Sequence, residues 1–273
     1  MKKFIMNAAA VGFLVLFLPY TMTLLIEGRQ GIHREKELPV LEYQVLSRLM
    51  SEDDSWMDER TLDLVAILYR TECVRGDSET EAALPPDIYR DDYGRMYDAV
   101  MRTEGQVVTV NGEYRDLPYH AVSGGRTREG GLLGEEYTYV RAVDCPEDRA
   151  AEDALRVYRF SMRELEELLE PGRSSGLSED IRTERDASDY VSRVVIGDRE
   201  WQGEAFRSLL NLPSSCFWLD TDAEKGEVRV TVKGSGHGFG ISLYTADCMI
   251  RAGAGPEEVV QKFYQDAECI TIP

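Results

Sequence analysis

The chain has 273 residues, 43% hydrophobic and 30% charged, enough for one large domain or two small ones with a real core. Its formal charge of −19 argues against non-specific nucleic-acid binding, which needs a basic face, so an anionic polymer would have to be met by local Arg or Lys clusters. Five scattered cysteines with no C-x-x-C pair are too few for a disulfide scaffold, and their odd number leaves at least one thiol unpaired or intermolecular.

Lys2 and Lys3 precede a nearly uninterrupted apolar run, Phe4 to Ile26, long enough to cross a bilayer core of ~30 Å. No A-x-A cleavage site follows it, so residues 1–29 are expected to be an uncleaved anchor with a cytoplasmic amino terminus. Residues 30–39 read as a polar linker. Residues 40–273 read as one extracytoplasmic α+β domain, a mixed helix and antiparallel-sheet fold behind the N-terminal transmembrane helix.

Val40, Leu41, Val45 and Leu49 mark one helix face. A second helix, capped by Ser55 or Asp58, turns Leu62, Val65, Ala66 and Tyr69 inward. Between the two, Glu52, Asp53 and Asp54 form an acidic turn whose plain reading is a surface feature stabilised by a helix dipole. A polar loop broken by Pro85-Pro86 comes next. Val107 to Val110, Asn111-Gly112 and the run to Tyr119-His120 then read as a β-hairpin with Asn-Gly as its turn.

Ser123-Gly124-Gly125, followed by Arg126 and Thr127, is either a tight turn with local hydroxyl bonds or a set of N–H and O–H donors for the oxygens of a ligand. Ser161 caps an amphipathic helix with Met162, Leu165, Leu168 and Leu169 inward. A strand over Tyr190 to Ile196, a turn on Gly197-Asp198 and a helix over Gly203 to Leu210 follow. Val228, Val230 and Val232 then alternate with polar residues as in a half-buried strand. That strand enters four glycines in seven residues, Gly234, Gly236, Gly238 and Gly240, which hold His237 among them. Neither G-x-G-x-x-G nor G-x-x-x-x-G-K-[ST] occurs there. Helical spacing resumes from Ile241, breaks at Gly253 and Gly255, and restarts at Pro256.

The segment Gly236-His237-Gly238-Phe239-Gly240-Ile241-Ser242, with Met249, Gly253, Val259-Val260 and Phe263-Tyr264, resembles the closing motif of the SpoIID family. Leu243 and Thr245 stand where that motif usually has Gln and Gly. His120, Ser123, Gly124, Gly125 and Thr127 match a second family segment, and Arg207, Ser214 and Phe217 a third. Anchoring Arg70-Thr71 on the family's Arg-Thr pair places Glu52 on its catalytic glutamate, with Asp53-Asp54 in place of Met-Pro.

The resemblance implies a membrane-anchored lytic transglycosylase that cleaves peptidoglycan glycan strands stripped of stem peptides. It would act during forespore engulfment, outside the mother-cell membrane facing the septum. Its implied partners are an amidase of the SpoIIP type and a SpoIIM-type membrane protein. In such a reaction the sugar's own 6-hydroxyl replaces water, so one glutamate protonates the leaving oxygen and later takes the hydroxyl proton. Glu52 must then stay protonated near neutral pH, which Asp53, Asp54, Trp56 and Met57 could promote.

Arg70 would bind the substrate carboxylate or pair with Glu52. His120, His237 and Ser242 would shape the cleft, and Tyr190, Arg193 and Arg207 would line the glycan groove or act as structural partners. No cofactor is implied. Where many relatives bind zinc this chain has only Cys73, so no metal is expected. Two other readings remain: a glycan-binding scaffold without turnover, favoured by Asp53-Asp54, and a Cys-His hydrolase using Cys145 or Cys248 with His237.

Overall fold

A computed structural model describes residues 38–51, 56–76, 90–172, 180–222 and 224–273. Its first core is organised around α2 (Glu59–Arg75), which begins where the Asp58 carboxylate accepts a bond from the Arg60 N–H and ends at left-handed Gly76. Leu62, Leu64, Val65, Ala66, Ile67, Leu68 and Tyr69 are all buried, and a helical stretch that is apolar all round, as 64–69 is, must be covered all round. Its cover comes from α1 (Val40–Leu49), α3 (Tyr93–Arg102), β1 (Gln106–Val110), α6 (Leu243–Arg251) and α7 (Pro256–Phe263). Val45 and Leu49 of α1 face this core as their spacing predicts, whereas Val40 stays exposed at the helix start.

The second core lies between α4 (Met162–Leu169), α5 (Gly203–Leu209) and two antiparallel sheets of three strands. One sheet runs β3 (Leu155–Ser161), β8 (Glu227–Lys233), β7 (Phe217–Asp222); the other runs β4 (Ile181–Arg185), β5 (Val191–Ile196), β6 (Arg199–Gln202). Val228, Val230 and Val232 alternate inward on β8, as the period-two pattern requires. The Ser161 cap is a full capping box with Glu164. Leu165 and Leu169 of that helix are buried, but Leu168 lies largely exposed on its far side.

Two expectations are corrected. Asn111 and Gly112 do turn the chain with positive φ angles of 52° and 77°, and Val110 and Glu113 pair across them through N–H to carbonyl bonds of 2.8 and 3.1 Å, but the hairpin goes no further: β1 and β2 (Tyr119–His120) do not pair. β1 pairs instead with the terminal β10 (Ala267–Thr271), and β2 runs parallel to β9 (Ile241–Ser242).

The second correction concerns fold class. The described chain is α+β, but none of its helices is long and apolar enough to cross a membrane. The longest, α2, has 17 residues and carries Glu59, Asp63, Arg70, Glu72 and Arg75, where a span needs about 20 mostly apolar ones. Phe4 to Ile26, on which the transmembrane helix was expected, lies outside the described residues.

Candidate functional site

The two cores are bridged by the glycine-rich loop, which leaves β8 at Lys233 in the second core and enters β9 at Ile241 in the first. Gly236 and Gly240 are where that course demands glycine. Both have positive φ, 112° and 68°. A Cβ on Gly236 would lie 2.5 Å from the Cβ of His120, and one on Gly240 would collide with the Pro118 carbonyl. The loop is thus laid directly on the 118–128 segment. Ser235 N–H donates to the Val122 carbonyl at 2.7 Å and Arg128 N–H to the Gly238 carbonyl at 2.7 Å, while Ile241 and Ser242 pair with Tyr119 and His120.

Phe239 sets the state of both histidines. Its carbonyl lies 3.0 Å from His120 Nδ1, which must therefore carry the proton, leaving buried Nε2 as a bare acceptor without a partner among the described residues. Its N–H donates to His237 Nδ1 at 3.0 Å, which places the His237 proton on Nε2. Burial, reinforced by His237, brings His120 down to about 3. Burial also lowers His237, against the pull of Glu204. The rings, 5.7 Å apart between centroids, are neutral near pH 7 and act as hydrogen-bonding groups rather than proton donors.

Asp148, in a short 3₁₀ turn over Pro146–Ala150, ties the loops together from beneath. Its buried carboxylate accepts from Ser123 N–H at 2.7 Å, Ser242 Oγ at 2.7 Å and Thr245 Oγ1 at 2.7 Å. Thr245, a departure from the family motif, thereby closes a bond that glycine could not make. On the other side Arg128 lies 4.3 Å over the Phe239 ring and 5.1 Å over Tyr190. Its guanidinium donates to Asp186 Oδ2 at 2.7 Å and to Glu204 Oε1 at 3.1 Å. The bonds of Asp148 to Ser123, Ser242 and Thr245 and of Arg128 to Asp186 and Glu204 carry no spacing signal in the sequence, since those partners lie 25 or more residues apart.

The structure gathers His120, Ser123, Gly124, Gly125, Thr127, Tyr190, His237 and Ser242 into this one cluster. Most of their side chains face inward. Tyr190 is fully buried, its phenol raised by burial and accepting from Gly124 N–H at 3.0 Å. Thr127 Oγ1 donates to the Arg141 carbonyl at 3.1 Å and accepts from Val143 N–H at 2.8 Å. Ser123 Oγ accepts from Gly125 N–H at 3.1 Å. His237 alone among these side chains is partly exposed.

Three expected residues lie elsewhere or beyond description. Arg70 is buried in the first core, where Nη2 meets Glu42 Oε2 at 2.6 Å and Nη1 donates to the Gln106 carbonyl at 3.0 Å. Arg193 is on the second sheet, bound to Glu184 at 2.7 Å and to Glu200 at 3.2 Å. Glu52 lies outside the described residues, but the chain beyond it is docked beside the loops. Trp56 stacks on Tyr244 with centroids 6.1 Å apart, and Tyr244 N–H donates to the Ala121 carbonyl at 3.1 Å. Asp58 N–H and Thr61 Oγ1 both donate to Asp247 Oδ1, at 2.8 Å and 2.7 Å.

Arg207 borders the cluster, donating to the Leu212 and Pro213 carbonyls at 3.1 Å each and to Glu204 at 3.1 Å. The five cysteines are unpaired. Burial raises the Cys145 thiol to about 11, a poor setting for a thiolate nucleophile. Among the described residues no group of three or more His, Cys, Asp or Glu is arranged to hold a metal.

No family model matches the chain. It is 25% identical over 181 residues to Stage II sporulation protein D of Bacillus amyloliquefaciens, covering 66% of this chain and 52% of that one. It is 24% identical over 175 residues to Stage II sporulation protein D of Bacillus subtilis (strain 168), covering 64% and 50%. The chain thus spans about half the length of the curated relatives it matches.

Proposed function

The chain is a divergent member of the SpoIID family, and from that premise we propose that this sporulation-related protein is a lytic transglycosylase of peptidoglycan glycan strands. Glu52 is its single acid and base: it protonates the bridging oxygen, then takes the proton of the 6-hydroxyl as the 1,6-anhydro ring closes. The strands are stripped of stem peptides by an amidase of the SpoIIP type, with a SpoIIM-type membrane protein as a further partner. The work is done during engulfment, on the outer face of the mother-cell membrane.

One observation carries the reading. Trp56, four residues past Glu52, stacks on Tyr244, two residues past the Ser242 that Asp148 binds together with Ser123. The chain from Trp56 on, the Ser-Gly-Gly turn and the glycine-rich loop are therefore held by one connected set of contacts. That convergence is what a glycan cleft assembled from distant segments requires.

The test is incubation of the protein with peptide-free glycan strands and mass spectrometry of the products. Ends in 1,6-anhydro-muramic acid support the reading. Ordinary reducing ends would make the protein a hydrolase, and binding without cleavage would make it a glycan-binding scaffold.

A further inference from the structure

A groove of about 510 Å³ opens beside the glycine-rich loop, within the ~300–1,000 Å³ range of ligand sites. Ser235 and Gly236 form one wall, Asn211, Leu212 and Pro213 another, and Arg156, Tyr158 and Arg207 supply its long side chains. In a chain of net charge −19, its lining includes two arginines and no carboxylate. Two other hollows among the described residues differ: one is lined by Asp266 and Glu268 with a single arginine, another by Asp220, Asp222, Glu224 and Glu227 with three basic residues.

The cations are held in place by the fold. Arg207 spends three of its five N–H donors on Leu212, Pro213 and Glu204, which fixes its plane and leaves two for a ligand. Arg156 is anchored at one edge by Asp153. Arg156 and Tyr158 are alternate residues of β3, so both project from the same face of that strand, opposite Val232 and Val230 of β8. A phenol and two guanidinium groups lining one groove are a set that can hold a sugar ring bearing a carboxylate: the ring lies on the aromatic face and the acid is bound by a fork of N–H donors.

We propose that this groove is a subsite for the carboxylate-bearing amino sugar of the glycan, with Arg156 and Arg207 binding the lactyl carboxylate of a muramic acid residue and Tyr158 packing against its ring. The assignment rests on the peptidoglycan reading above and gives it a polarity. The muramic acid occupies the β3 side of the loop, and the strand continues past His237 toward Tyr244. It also supplies a reason for stripped strands: a free lactyl carboxylate can be gripped here, whereas one converted to a peptide amide cannot.

The test is calorimetric titration of the Glu52→Gln protein, so that strands are not consumed, with three probes: peptide-free glycan, the same glycan with its carboxylates reduced to alcohols, and chitotetraose. The subsite predicts that free glycan binds at least about tenfold more tightly than the reduced form, and that the gap shrinks as salt is raised. Arg156→Ala should erase that gap while leaving chitotetraose affinity unchanged, and Arg156→Lys should keep part of it. Equal affinity for free and reduced glycan overturns the proposal, as does an Arg156→Ala variant that weakens all three probes alike or none. Because the readout is binding, loss of the subsite leaves the cleavage chemistry of Glu52 standing, and failure of that chemistry leaves the subsite standing.

Discussion

Arg70 and Glu42 form a closed pair in the first core: Nη2 and Oε2 are 2.6 Å apart, and side-chain exposure is 0% for the arginine and 3% for the glutamate. The glutamate also accepts from Gly105 N–H at 3.2 Å, and the arginine also donates to the Val100 carbonyl at 3.2 Å. Breaking one partner leaves a buried charge alone, which costs about 3–5 kcal/mol. Arg70→Met and Glu42→Leu should each lose stability on that scale in denaturant titrations. The double variant should lose clearly less than the sum of the two, while the glycan affinity of folded Arg70→Met stays unchanged. Additive losses would mean that the pair is not coupled.

His120 makes stability depend on pH in a defined direction. Its folded value of about 3 lies below the ordinary value of 6.5, so the unfolded chain binds the extra proton between those limits. Its contribution is intact above about pH 6.5 and shrinks by roughly 1.4 kcal/mol per unit as pH falls toward 3. His120→Asn keeps a donor near Phe239 but cannot titrate. Its stability should fall less steeply than that of the parent between pH 6.5 and 4. Parallel curves would place the ring in a wetter setting than the structure does.

Gly124 lies so close to β7 that an added Cβ would be 2.5 Å from Cys216 Sγ. Gly124→Ala should therefore cost about 1–3 kcal/mol by overpacking. Cys216→Ala removes the sulfur, so Gly124→Ala in that background should be much milder. A thermal-melt double-mutant cycle reads the difference, and no coupling would contradict the packing of the Ser-Gly-Gly turn.

Asp148 is the common acceptor of three donors, one from the Ser-Gly-Gly turn and two from the junction of β9 and α6. Asp148→Ala strands Ser123 N–H, Ser242 and Thr245, and bonds to a charged acceptor are worth about 1.5–3 kcal/mol each. Global stability should fall by several kcal/mol. Amide exchange should quicken first at Ser123 and in the glycine-rich loop; unchanged protection there would show that the loops are held by other contacts.

How far the sequence discloses this molecule follows the range of each interaction. Local signals read true: Ser161 with Glu164, Asp58 as a cap, the alternation of Val228 to Val232, and the turn at Asn111-Gly112. Partners distant in the chain do not. The pairing of β1 with the terminal strand, Glu42 with Arg70, and Asp148 with Thr245 depends on how α2 and the loops stack, which no periodicity records. The coming together of the glycine-rich loop and the Ser-Gly-Gly turn is foreshadowed in the sequence, where the motifs are long. Their polar side chains proved to be mainly internal fastenings. Residue type alone leaves Arg193 as either a groove residue or a structural partner, and its salt bridges to Glu184 and Glu200 on the second sheet decide for the latter.

The most direct measurement is the yield of 1,6-anhydro-muramic ends from peptide-free glycan with the parent protein and with Glu52→Gln, their folds matched by circular dichroism. Removing the only proton donor should lower that yield by at least about a hundredfold, the scale of acid–base catalysis, with glycan binding retained. Undiminished yield from Glu52→Gln would contradict the account.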